Sequence, residues 1–113
     1  VSALAKVLVV DDLPQNVKLL ADLLTFKGYE VMTAASGLEA LEKVTKERPD
    51  LVLLDVMMPE MSGYEVCRKI RDDPATGILP VVMVTSLDPG QERIKGLEAG
   101  ADDFLSKPVN QAE

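Results

Sequence analysis

A chain of 113 residues, 47% of them hydrophobic, suffices for one compact domain and not for two; it is too apolar for a disordered segment, yet no apolar run approaches the roughly 20 residues that span a bilayer. Nineteen acidic against twelve basic residues give a net charge of -7, so the domain as a whole is repelled by nucleic acid and by anionic lipid. A single cysteine, Cys67, cannot form an internal disulfide, and with no histidine the soft-metal sites and histidine-dependent triads are excluded, leaving oxygen ligands.

The N-terminus has no basic segment, apolar stretch and cleavage site of a secretory signal, which together with the lone Cys67 favours the cytoplasm. The first strand is expected over Lys6–Val10, ending in Asp11 and Asp12. A helix follows from Pro14, whose missing N–H suits a first turn. Val17, Leu20, Ala21 and Leu24 form one buried stripe in this reading, and Gly28 is placed to end the helix in a left-handed conformation. A second strand is expected over Glu30–Ala34. Ser36 with Glu39 has capping-box spacing and starts the second helix.

The third strand, Leu51–Leu54, runs into Asp55. Ser62 with Glu65 starts the third helix, which carries Cys67 as a small packed side chain. Its end, Arg68-Lys69-Ile70-Arg71-Asp72-Asp73, reads as a solvated helix terminus with basic residues favourably placed for the dipole. Met57, Met58 and Met61 read as loop and core fillers. A fourth strand, Val81–Thr85, precedes a helix that starts around Asp88-Pro89, carries Ile94 and Leu97 and stops near Gly100; the fifth strand is Asp103–Leu105.

Strict alternation of strands and helices with short linkers implies a parallel sheet covered on both faces. The alternation calls for one more helix where the sequence stops at Glu113. The expectation is therefore a single domain over 1–113, cut from a longer chain, with its last helix absent or truncated.

In such a sheet, ligands bind at the carboxyl ends of the strands. Asp11 and Asp12 follow the first strand, Asp55 the third, Thr85 closes the fourth, and Lys107 follows the fifth. Taken singly, each has an ordinary reading: turn or cap acids, a β-branched strand residue, a surface lysine. Three acids at one edge repel each other unless a cation joins them. Mg2+ is held by one or two carboxylates with waters and phosphate oxygens, so Asp12 and Asp55 can bind it directly and Asp11 through water. A phosphoryl group arriving beside Asp55 would be open to in-line attack by its carboxylate, with Lys107 and Thr85 contacting phosphoryl oxygens.

From Val7-Leu8-Val9-Val10-Asp11-Asp12, through Leu53-Leu54-Asp55-Val56-Met57-Met58-Pro59, to Phe104-Leu105-Ser106-Lys107-Pro108, the chain resembles a response-regulator receiver domain over essentially its whole length. The resemblance implies a flavodoxin-like, doubly wound fold with strand order 2-1-3-4-5. It implies Asp55 as phosphoacceptor, Asp11 and Asp12 as Mg2+ acids, and the Met57 backbone carbonyl as a further ligand. It also implies Lys107 as phosphoryl partner, Thr85 and Phe104 as switch residues, and a cis peptide bond before Pro108.

A domain of this family takes phosphate from a phosphohistidine on a kinase or phosphotransfer protein and changes the face of its fourth helix and fifth strand, sometimes as a dimer. It is a signalling switch and not an enzyme in the usual sense. The stretch from Asp55 to Lys107 resembles receivers joined to diguanylate cyclase outputs in particular. Met57 and Leu87 stand where relatives often bear polar groups that orient water, which predicts slow self-dephosphorylation. Alternatives are a Mg2+-dependent phosphatase with an aspartate nucleophile, which wants a second acid where Met57 stands, and a scaffold that works without phosphorylation. A nucleotide or flavin module lacks its glycine fingerprint here.

Overall fold

The computed structural model describes residues 5–85 and 89–106, with backbone alone for 85, 89–93, 104 and 106. Five strands, β1 (Lys6–Val10), β2 (Glu30–Ala34), β3 (Leu51–Asp55), β4 (Val81–Thr85) and β5 (Asp103–Ser106), alternate with four helices, α1 (Pro14–Phe26), α2 (Gly37–Glu47), α3 (Gly63–Asp72) and α4 (Pro89–Ala99). All pairings are parallel and the sheet order is β2-β1-β3-β4-β5. This is the flavodoxin-like order the resemblance implies. Strands β3 and β5 each run one residue further than the sequence suggests, so Asp55 is itself a strand residue.

The apolar runs are continuous because the inner strands are covered on both sides. Leu8, Val10, Val52, Leu54, Val81 and Met83 face a core closed by α2, α3 and α4; Val66, Cys67 and Ile70 of α3 are fully buried in it. Val7, Val9, Leu53 and Val84 face the other way, against Leu20 and Leu24 of α1. The stripe expected to be buried on α1 is only half-buried: no residue of that helix reaches full burial. Among the described residues α1 is the only helix on this face.

Local signals act largely as their chemistry dictates. Pro14 opens α1, and Gly28, with φ 101, closes it in a Schellman arrangement: its N–H donates to Thr25 O, and that of Tyr29 to Leu24 O. Ser62 and Glu65 form a complete capping box on α3. At α2 the box is shifted. Ser36 accepts from Glu39 N–H, but the Glu39 carboxylate reaches Ala35 N–H instead of the cap residue itself. That bond and Lys43 hold the Glu39 carboxyl below its usual pKa, against the opposing effect of burial. Lys43 also donates to Thr33 O, tying α2 to β2.

The end of α3 departs from the expected solvated terminus. Arg71 reaches across the N-terminal edge of the sheet, its Nε to Gly100 O at 2.8 Å, Nη1 to Leu79 O at 2.6 Å, and Nη2 to Asp102 Oδ2 at 2.8 Å. The same Asp102 oxygen accepts from Val81 N–H. One guanidinium therefore fixes the approach to β4 and the α4–β5 turn together. Its fork of donors suits this task; a lysine ammonium could not reproduce it.

Candidate functional site

Asp11 leaves β1 with its N–H still donating to Ala34 O of β2, and its Oδ1 accepts from Leu13 N–H at 3.0 Å. This side chain-to-backbone turn steers the chain into α1 and holds the carboxylate over the sheet edge. Asp12 follows on the same turn. Asp55 ends β3, opposite Val84 of β4 in the ladder.

Asp11 and Asp55 are 2% and 5% exposed, unusual for carboxylates, while Asp12 is half-buried. One carboxylate oxygen from each lies within 4.8 Å of the others. Octahedral Mg2+ places opposite oxygens about 4.2 Å apart, twice its bond length, and completes its shell with water. A set of hard oxygen donors at this spacing, with neither imidazole nor thiolate, fits that ion. Asp11 and Asp12 also border an open groove of about 380 Å³ between α1 and the end of β2, lined by Pro14, Val17, Ala34 and Glu39 among others.

The backbone of Thr85 lies at the same edge, one residue past Val84 and opposite Ser106 of β5. Phe104 pairs with Met83 in the ladder. Met57, beyond Asp55, is 60% exposed, whereas Met58 is buried and Met61 packs against the core, in keeping with their reading as fillers. Lys107, Pro108 and Leu87 lie outside the described residues.

Two features of the loop between β3 and α3 had no sequence reading. Glu60 has φ 70, a left-handed conformation that costs a non-glycine residue about 1–3 kcal/mol. Gly63 sits against Asp55: a Cβ there would lie 2.3 Å from the Asp55 carbonyl oxygen. The capping serine before Gly63 marks the helix start in the sequence, but only folding shows what the glycine touches.

Comparison with known proteins adds the family. Residues 7–113 match the family model of the response regulator receiver domain. The chain is 54% identical over 106 residues to the response regulator PleD of Caulobacter vibrioides, covering 94% of this chain and 23% of that protein. It is 44% identical over 108 residues to the alkaline phosphatase synthesis transcriptional regulatory protein PhoP of Bacillus subtilis, covering 96% and 44%. The chain thus spans less than half the length of these relatives. The structure of the Vibrio cholerae chemotaxis protein CheY4 superposes with a TM-score of 0.90 at 39% identity, covering 96% of this chain and 90% of that one. The buried acids, the strand order and these similarities agree: the chain belongs to the response regulator receiver domain family, the phosphoacceptor modules of two-component signalling.

Proposed function

We propose that Asp55 is the phosphoacceptor and that Asp11, Asp12, Asp55 and the backbone carbonyl of Met57 hold one Mg2+ beside it. The observation that carries this reading is the convergence of three carboxylates, two of them buried, within 4.8 Å at the C-terminal edge of the sheet. In the reaction an Asp55 carboxylate oxygen attacks the phosphorus of a partner's phosphohistidine in line. The new O–P bond forms as the P–N bond breaks, and the imidazole nitrogen keeps the electron pair. Bound Mg2+ would neutralise charge on the transferring oxygens.

Asp11 spends one oxygen on Leu13 N–H, which fixes its orientation and suits it to act through water. Asp12 and Asp55 then supply direct ligands. On the family's pattern, Lys107 pairs with the phosphoryl group, Thr85 hydrogen-bonds it, and Phe104 reports the change to the α4 and β5 face. Ile94, Leu97 and Leu105 are exposed there and suit a phosphorylation-favoured dimer. The domain occupies 1–113 of a longer cytoplasmic protein, and the likeness to PleD favours a diguanylate cyclase output. The phosphodonor is a sensor histidine kinase or histidine phosphotransfer protein. Among the described residues no helix is long and apolar enough to cross a membrane.

Incubation with Mg2+ and acetyl phosphate, followed by intact mass, tests the assignment. One hydroxylamine-labile phosphoryl adduct, lost in Asp55→Asn, is expected. An adduct that persists in Asp55→Asn overturns the assignment, and multiple turnover of organic phosphates would favour the phosphatase. No adduct on a folded protein would favour the scaffold. The apolar side chains of Met57 and Leu87 predict a long-lived phosphoryl group; a decay much faster than that of Met57→Asn/Leu87→Glu would contradict this.

A further inference from the structure

Gly63 is the first residue of α3, and its Cα rests on the peptide unit that follows Asp55. An added Cβ would meet Asp55 O at 2.3 Å, and Asp55 C and Val56 Cα at 3.0 Å. Backbone atoms cannot swing aside as a flexible side-chain end can. The contact is reinforced by a hydrogen bond from Gly63 N–H to Val56 O at 2.9 Å, which closes residues 57–62 into a loop. Behind Gly63, the capping box of Ser62 and Glu65 fixes the first turn of the helix, and Val66, Cys67 and Ile70 anchor it in the core. Glu60 is held at φ 70 within this closed loop, as expected of a segment over-determined by its surroundings.

We infer that Gly63 is a positioning residue of the cation site. Lacking a Cβ, it lets the buried α3 abut the Asp55 backbone and so sets the Asp55 carboxylate and the Met57 carbonyl in one ligand geometry. The inference rests on the Mg2+ reading above and adds what holds two of the ligands in register. Supports behind metal ligands typically change affinity by about 10–100-fold when disturbed. A glycine needed only for packing would change stability and leave the affinity of the folded protein alone.

Calorimetric titration with MgCl2, paired with thermal melts in EDTA, separates the two. The wild-type protein is expected to bind Mg2+, folded Gly63→Ala about tenfold or more weakly, and Ser62→Ala with a smaller but measurable loss. Gly100→Ala is the control. Its φ of +100 and the Arg71 side chain 2.7 Å from an added Cβ make it destabilising at the opposite edge of the sheet, so it should melt lower and bind as wild type. Wild-type affinity in folded Gly63→Ala, or an equal loss in Gly100→Ala, overturns the inference. Should Gly63→Ala fail to fold, unchanged affinity in Ser62→Ala overturns it. A wild-type protein that binds no Mg2+ removes the underlying site reading instead.

Discussion

The two edges of the sheet use charge in opposite ways. At the N-terminal edge, polar groups are matched to each other. Lys6 N–H donates to Asp50 Oδ2 at 2.8 Å while Asp50 N–H donates to Lys6 O at 2.7 Å; Lys6 Nζ reaches Glu47 O at 2.9 Å, and Arg71 joins Gly100, Leu79 and Asp102. At the C-terminal edge, three carboxylates lie within 4.8 Å of one another. The matched edge contributes to fold stability, and the acidic edge gathers the carboxylates that the proposed function assigns to a cation. On that proposal, stability and ligand recognition fall at opposite ends of the same strands.

The largest effect should come from breaking the matched edge. Arg71→Ala leaves two carbonyls and the Asp102 carboxylate short of a donor in a partly buried setting, and should cost about 2–3 kcal/mol in urea unfolding. Mg2+ affinity should be unchanged; a parallel loss would mean the two edges are energetically coupled. Asp12→Asn should do the reverse. It relieves like-charge repulsion and should stabilise the metal-free protein by about 1 kcal/mol, while abolishing most of the Mg2+-dependent rise in melting temperature. A loss of stability in EDTA would show that the acids are not under repulsive strain.

Glu60→Gly should gain less than about 1 kcal/mol. Relief of the left-handed backbone is partly offset by the greater freedom of glycine in the unfolded chain. The smallest effect is a pH dependence at the C-terminal end of β2, where Glu39 shares a groove with Asp11 and Asp12. Ala35 N–H foremost, and Lys43, lower the Glu39 pKa from 4.5. A depressed carboxyl contributes stability that is full above its unfolded value and is lost as pH falls through the folded one. Acid titration of stability should therefore be slightly shallower below pH 4.5 in Glu39→Gln, and an unchanged acid limb would remove this contribution.

Strand positions were legible because buried parallel strands are written as unbroken aliphatic runs, and Val7–Val10 and Leu51–Leu54 admit little else. The acid cluster was legible for a related reason. Residues that end such runs must meet at one sheet edge, so the sequence alone places Asp11, Asp12 and Asp55 together. Arg71 was not legible. In sequence it is one cation in a charged helix end, and its partners lie 8 to 31 residues away, selected by the packing of α3 across the sheet. The close approach of Gly63 to Asp55 was hidden likewise, because steric proximity between a loop end and a strand has no periodicity. The shifted cap at Glu39 shows that spacing specifies which side chain is available and leaves its particular N–H partner to local geometry.

The solitary thiol of Cys67 has a practical consequence. It is fully buried on α3, and burial raises its pKa, so alkylating reagents meet neither an accessible sulfur nor an abundant thiolate while the helix is seated. Modification must wait for α3 to lift from the sheet. The protein therefore contains a native clock for that opening, needing no engineered label. Because α3 abuts the end of β3 through Gly63, the pace of alkylation with and without a divalent ion would register how firmly an occupied acidic edge holds the helix behind it.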